Sequence, residues 1–252
     1  MVALCGCSLL LATAAAAAPS HLGPTGVVGT PTADVVAARQ FDVAADYVKW
    51  SLSGTDITSW PIRLVAGVSD NVEVGVGYTK CKDGGSLKAT PVNVKAVVVP
   101  ESESSPAIAI GAAYAKLKDG SAIKVTTFYA VASKTLSEPA DEWDDGGMTG
   151  TLRGSLGVMY NKYSNGGSDS YTKPFASLEY STPGGTTLAF EYKSKEDDFD
   201  PVWSLLARHM VTPNAYVQAG WTNAFYTFGA DDHDFFIGVG YSWAPPAEEE
   251  WY

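Results

Sequence analysis

Along most of this chain polar and apolar residues alternate with a period of two, and the stretch from Ser59 to Lys80 shows the repeating unit. On its first arm Trp60, Ile62, Leu64, Ala66 and Val68 share one face, while Ser59, Pro61, Arg63, Val65 and Gly67 share the other. On its second arm Val72, Val74, Val76 and Tyr78 face away from Glu73, Gly75, Gly77 and Thr79, and Ser69-Asp70-Asn71 supplies a tight turn between the arms. This pattern predicts a β-hairpin. Its first face is apolar and ends in aromatic residues. Its second mixes glycine, small residues and single charges, which suits a narrow polar interior better than open water.

The same alternation recurs to the C-terminal region and predicts about 12 strands of about 10 residues, the length of a tilted membrane-spanning strand. They are Phe41 to Lys49, Ser59 to Val68, Val72 to Lys80, Pro91 to Val99, Ala107 to Lys116, Ala122 to Leu136, Thr149 to Tyr163, Lys173 to Tyr180, Thr186 to Lys195, Val202 to Val211, Ala215 to Asn223, and Phe235 to Trp243. The fold class expected is all-β: a single antiparallel, up-and-down transmembrane β-barrel. Connections after the even strands include the tight turns SDN, STPGG and TPN, whereas those after the odd strands (SLSGTDIT, CKDGGS, LKDGS, SNGGSDS, SKEDDFD, AFYTFGADDH) are longer and polar. Short turns on the periplasmic side and long loops outside are the habit of outer-membrane barrels. Ser137 to Gly147 (SEPADEWDDGG) departs from that sidedness, being long and acidic on the side expected to be short.

The chain divides into four parts. Residues 1–18 (MVALCGCSLLLATAAAAA) are apolar and end in small residues, like a secretory signal peptide. Residues 19–40 form a Gly-, Pro- and Thr-rich leader that is a candidate plug, an inward-tucked arm or a plain leader. The barrel is expected over 41–243, and 244–252 form a C-terminal tail whose prolines cannot extend a strand ladder.

Composition narrows the function classes. A formal net charge of −11, with no compensating basic block, argues against nucleic acid as a partner. A mean hydropathy near zero fits strands that average an outward and an inward face. Cys5 and Cys7 fall in the removable segment, which leaves Cys81 without an internal disulfide partner and without a metal-binding pattern. His21, His209 and His233 lie in no nucleophile motif, and no enzyme, metal or cofactor is expected.

With the apolar face outward, Tyr47, Trp60, Tyr78, Tyr114, Tyr160, Tyr180, Tyr192, Trp203, Trp221, Tyr241 and Trp243 are candidates for the interfacial aromatic girdles. The opposite face carries Asp42, Asp46, Arg63, Glu73, Lys95, Lys124, Arg153, Glu179, Glu191, Lys193 and Arg208 as lumen-facing charges. Two readings stand: a salt-bridged filling, or a ladder of Arg63, Lys95, Arg153 and Arg208 that attracts small anions through a water-filled lumen.

The leader carries one family resemblance. GPTG followed by TPTADVV and an alternating Phe41 to Lys49 resembles the opening of small outer-membrane barrels of the YjbH-like family associated with exopolysaccharide export. The expected function is a narrow, porin-like channel for small polar or anionic solutes, saccharides among them, in the bacterial outer membrane. The alternatives are a non-conducting accessory barrel in envelope polysaccharide export and a soluble secreted carbohydrate-binding β protein. The expected partners are outer-membrane lipid and lipopolysaccharide, the barrel assembly machinery, and small solutes or saccharides.

Overall fold

The computed structural model describes residues 18–52, 55–82, 88–119, 121–137, 150–164, 167–195, 201–223 and 234–245. These residues contain twelve strands and no helix: β1 (Phe41–Leu52), β2 (Thr55–Ser69), β3 (Val72–Lys82), β4 (Lys88–Val99), β5 (Ala107–Asp119), β6 (Ser121–Ser137), β7 (Thr151–Ser164), β8 (Ser168–Ser181), β9 (Thr186–Lys193), β10 (Val202–Thr212), β11 (Ala215–Thr222) and β12 (Asp234–Trp243). Each pairs antiparallel with its neighbours in sequence, and β1 pairs with β12, so the sheet closes into a barrel. The alternation of the sequence explains the closure. A sheet whose outward face is apolar along its whole length can leave no row of unpaired N–H and C=O groups at an edge.

The turns Ser69–Asn71, Thr182–Gly185 and Pro213–Asn214 lie at one end of the barrel. Phe41 pairs with Trp243 at that same end and stacks on it at 5.3 Å, so the barrel begins and finishes there. At the opposite end the strands run further than their apolar stretches suggest. Most of the expected loops SLSGTDIT and LKDGS is strand, since β1 reaches Leu52 before β2 begins at Thr55, and β5 reaches Asp119 before β6 begins at Ser121. The ladder stays in register there, with Ser51 opposite Asp56 and Lys118 opposite Ala122.

The two faces separate as the alternation predicts. Leu156 is 67% exposed and Val239 58%, with Phe128, Ile237, Leu205 and Val76 similarly bare, whereas Arg63 is 1% and Lys95 0% exposed. A water-soluble barrel would reverse this order, because bare Leu, Val and Phe on every side form an apolar surface suited to lipid.

Four of the inward-pointing aromatic residues share one arrangement: Tyr129, Phe175, Tyr216 and Phe236. Each stands directly opposite a glycine of the adjacent strand, namely Gly111, Gly157, Gly240 and Gly220, and a Cβ at any of the four would collide with the ring. The missing side chains let the rings lie flat against the wall, where Phe236 shares a buried cluster with Val27 and Val28, Tyr216 with Ala18, and Tyr129 and Phe175 with Ala33.

Residues 1–17 of the expected signal peptide, the acidic stretches Glu138 to Asp145 and Glu196 to Asp200, His233, and residues 246–252 of the tail lie outside the described residues.

Placing Arg on the lipid-facing wall tests the facing assignment. Val76→Arg should cost roughly 2 to 4 kcal/mol of folding stability in bilayers, the range for a basic residue near the midplane. Lys116→Arg, beyond the apolar band on the same outer face, should be neutral; urea titration of refolding into vesicles reads both.

Candidate functional site: the lumen and its leader

Residues 18–33 are almost all buried, and their contacts are with inward-facing side chains of the barrel. The leader doubles back inside the lumen as a compact hairpin: Pro19 bridges Thr25, Gly26 bridges Pro31, and a turn closes with Val27 N–H donating to the Thr30 carbonyl at 3.0 Å. Gly26 is required at the neck of that turn, since a Cβ there would strike the Thr30 carbonyl oxygen and Pro31. The leader then leaves along β2 at the short-turn end, where Ala38 forms a parallel bridge with Gly67.

Two buried carboxylates on opposite walls hold it. Glu191 on β9 accepts the backbone N–H groups of Val28 (3.1 Å), Gly29 (2.9 Å) and Thr30 (3.0 Å), together with the hydroxyls of Thr30 (2.7 Å) and Ser204 (2.8 Å). Successive N–H groups converging on one carboxylate form an anion nest. Glu73 on β3 accepts the N–H groups of Thr25 (2.9 Å) and Val36 (3.0 Å), and pairs with Lys95 at 3.1 Å. Lys95 in turn donates to the Thr25 carbonyl at 2.9 Å. Strands β3 and β9 are six apart in the ring of twelve, so the leader crosses the full width of the lumen. Ser133 adds a third tie, accepting the Ala33 N–H at 2.9 Å.

The remaining charges form two further groups. Asp46 on β1 pairs with Arg63, accepts from Gln218 at 2.8 Å, and contacts Nε2 of the leader's His21 at 2.9 Å. Asp42 accepts from Tyr216 at 3.0 Å, and Arg208 lies over the Tyr216 ring at 5.1 Å while donating to Gln218 at 3.2 Å. Nearer the short-turn end Arg153 binds Asp34 of the leader at 2.9 Å and Glu101 at 2.6 Å, with Glu179 directly opposite Arg153 in register. Burial alone would raise the Glu101 carboxyl. The Thr135 backbone N–H and the Arg153 guanidinium outweigh that and hold it at about 2, below its usual 4.5.

Of the expected lumen charges, Arg63, Glu73, Lys95, Arg153, Glu179, Glu191, Lys193 and Arg208 take inward positions. Lys193 presents its ammonium to the space beside Gly29. Lys124 does not: it is exposed on the outer face of β6, in the same alternation as Phe128, because β6 continues as strand beyond the apolar band and an outward side chain there meets water or headgroups. The four residues of the alternative basic ladder do not lie on neighbouring strands. Arg63, Lys95, Arg153 and Arg208 stand on β2, β4, β7 and β10, spread around the ring, and the first three are ion-paired. Trp60, Tyr78, Tyr160, Tyr180, Trp203, Trp221, Tyr241 and Trp243 all lie on the outer face.

The sequence reading missed the leader's own ligating groups and the inward aromatics that face glycines. The signal for the aromatics is a glycine facing a ring in the cross-strand register, visible only once strand pairing is fixed. The leader's contribution consists chiefly of backbone N–H groups, which side-chain identity does not reveal.

No protein-family model matches this chain, and no curated protein sequence does. Solved structures do resemble it. The KdgM porin is 12% identical with a TM-score of 0.55, over 80% of this chain and 99% of that one. The NanC porin is 10% identical with a TM-score of 0.56, over 80% and 98%. An outer membrane channel from Pseudomonas putida F1 is 11% identical with a TM-score of 0.54, over 86% and 100%. A further structure is of the KdgM porin in complex with disordered oligogalacturonate. The shared property is the fold, that of small outer-membrane barrels.

Two outcomes follow from these ties. Glu191→Ala strands three backbone N–H groups and should free the turn at Val28 to Thr30, read as new proteolytic cleavage within residues 19–40 while the barrel stays resistant. For Glu101, a carboxyl held low contributes stability above its usual 4.5 and loses it as pH falls through about 2. Glu101→Gln should therefore lower the thermal midpoint at pH 7 and flatten its decline between pH 5 and pH 2.

Proposed function

We propose that this protein is an outer-membrane channel of the porin type, a narrow path for small polar or anionic solutes, saccharides among them, with residues 19–40 acting as its plug. The observation that carries the reading is a lipid-compatible outer wall around an inner wall of charged and hydroxyl side chains, spanned by a leader held through hydrogen bonds and ion pairs. Polar ties of this kind can be exchanged for water or solute hydroxyls; Val27 and Val28 also pack among Val48, Trp50, Leu206 and Phe236, so release of the leader exposes that apolar cluster as well. The likeness in fold to the KdgM porin, one structure of which holds oligogalacturonate, supports saccharides as the solute class. The short-turn end, where the barrel begins and finishes, is assigned to the periplasm, and the outward aromatics to the two headgroup levels.

A second reading has its own support. Because the leader crosses the lumen and buried charge is paired on opposite walls, the barrel can also serve as a closed accessory element in polysaccharide export, the role implied by the YjbH-like resemblance of the leader. Conductance separates the two.

In planar bilayers the mature chain should show rare, short openings, and deletion of residues 19–40 should give long-lived ohmic steps. Closed behaviour in both proteins, with insertion confirmed by heat-modifiable gel mobility, would reject the channel in favour of the accessory barrel.

A further inference from the structure

Above the apolar band, at the end away from the short turns, the outer wall carries a belt of lysines. Within the belt the sequence Tyr-x-Lys occurs three times with both side chains outward: Tyr78 and Lys80 on β3, Tyr114 and Lys116 on β5, Tyr160 and Lys162 on β7; a fourth outward instance, Tyr47 and Lys49 on β1, lies outside it. Lys82, Lys88, Lys118 and Lys124 join them, so the belt runs over the five consecutive strands β3 to β7. All seven are exposed, and they are seven of the 17 basic residues in a chain whose formal charge is −11.

The register sets these charges against one another. Lys80 stands directly opposite Lys88, Lys88 opposite Lys118, and Lys116 opposite Lys124. Like charges facing each other across a sheet are destabilising. Among the described residues no ion pair relieves any of the seven, and the outward neighbours between them are Thr90, Thr126 and Ser164 rather than acids. The adjoining strands behave differently: the outward Lys49 of β1 is paired with Asp56 of β2 at 2.6 Å. Among the described residues no acidic side chain stands outward within this patch.

We propose that the belt is a binding site for the phosphorylated headgroups of glycolipid in the outer leaflet, with phosphates seated between the opposed lysines. This rests on the outer-membrane reading above and adds to it a lipid class and its site. Continuity with the lipid-facing wall identifies the occupant. Directly beneath the lysines lie Tyr78, Tyr114 and Tyr160 at headgroup depth, and beneath those the bare Val76, Val92, Phe128 and Val158 that acyl chains would cover. A soluble polyanion could satisfy the lysines but not the apolar surface continuous with them. Lysine is suited to this role, since its flexible ammonium reaches a phosphate as a point charge, and charges near an anionic surface act cumulatively.

The test uses the mature full chain folded in detergent, with heat-modifiable gel mobility scored first in every sample. Bis-phosphorylated lipid A should stay bound in native mass spectrometry and raise the thermal midpoint, while dephosphorylated lipid A and inorganic phosphate at equal concentration should not. Replacing Lys80, Lys88, Lys116 and Lys124 together by Gln should weaken lipid A binding about tenfold or more. Arg at the same four positions should restore it, and Lys195→Gln, outside the belt, should leave it unchanged. Lys88→Gln alone, which removes the charge facing two others, should stabilise the lipid-free barrel yet lower its gain from lipid A. Equal gains from dephosphorylated lipid A or from inorganic phosphate would overturn the proposal, as would undiminished binding in the fourfold Gln protein. Absence of heat-modifiable mobility in the unaltered chain would instead reject the membrane-barrel reading on which it rests.

Discussion

A β-sheet with a bare apolar outer face in lipid must pair every backbone group within itself, and the rest of this structure follows from that constraint. It forces β1 onto β12 and sends every second side chain inward. The interior therefore receives the charges that lipid would reject. In a dry or narrow lumen those charges need partners, because an ionised group buried alone costs several kcal/mol. The barrel meets the demand partly with its own side chains, as between Arg63 and Asp46, and partly with a segment of main chain brought in for the purpose.

That segment is why the walls are built as they are. Glu73 and Glu191 face each other across the ring, and each accepts backbone N–H groups of the leader that no strand ladder could satisfy. Tyr129, Phe175, Tyr216 and Phe236 lie flat on glycines and share buried clusters with Ala18, Val27, Val28 and Ala33 of the leader. The dependence is mutual. Removing one partner of a buried pair such as Glu73 and Lys95 leaves an uncompensated charge, at a cost of roughly 3 to 5 kcal/mol. Displacing the leader by water or a hydroxyl-rich solute leaves the pair intact and replaces the hydrogen bonds it loses. Solvent can replace these polar contacts, while Val27 and Val28, packed among Val48, Trp50 and Phe236, oppose release; the balance between the two links the packing to the proposed channel.

The period-two alternation made the twelve strands legible, because the register of an apolar face can slip by one residue only by turning that face inward. Strand ends at the far rim were not legible. There β1, β2 and β5 continue as polar ladder, where alternation of hydropathy no longer marks a strand; Lys124, inside the expected sixth strand, was assigned to the wrong face because polar Thr126 separates it from Phe128 on the same outer face. The inward charges on β2, β3, β4, β7, β8, β9 and β10 could be read from parity alone. Their partners could not, since His21, Asp34 and the N–H groups of Val28 to Thr30 come from a stretch whose Gly, Pro and Thr content predicts only irregular chain. The lysine belt stayed hidden too: its members are scattered from Lys80 to Lys162 in sequence and become neighbours only when five strands are laid side by side.

The central claim is that the leader is folded inside the barrel and gripped from opposite walls, and amide hydrogen exchange of the mature chain in lipid tests it most directly. The N–H groups of Thr25, Val28, Gly29, Thr30 and Val36 should exchange as slowly as those of mid-strand residues such as Val76 and Val94, far more slowly than Asn71 in its exposed turn. Exchange of those five at the rate of an unstructured chain, with the strands fully protected, would contradict the account and leave an empty barrel with a free leader.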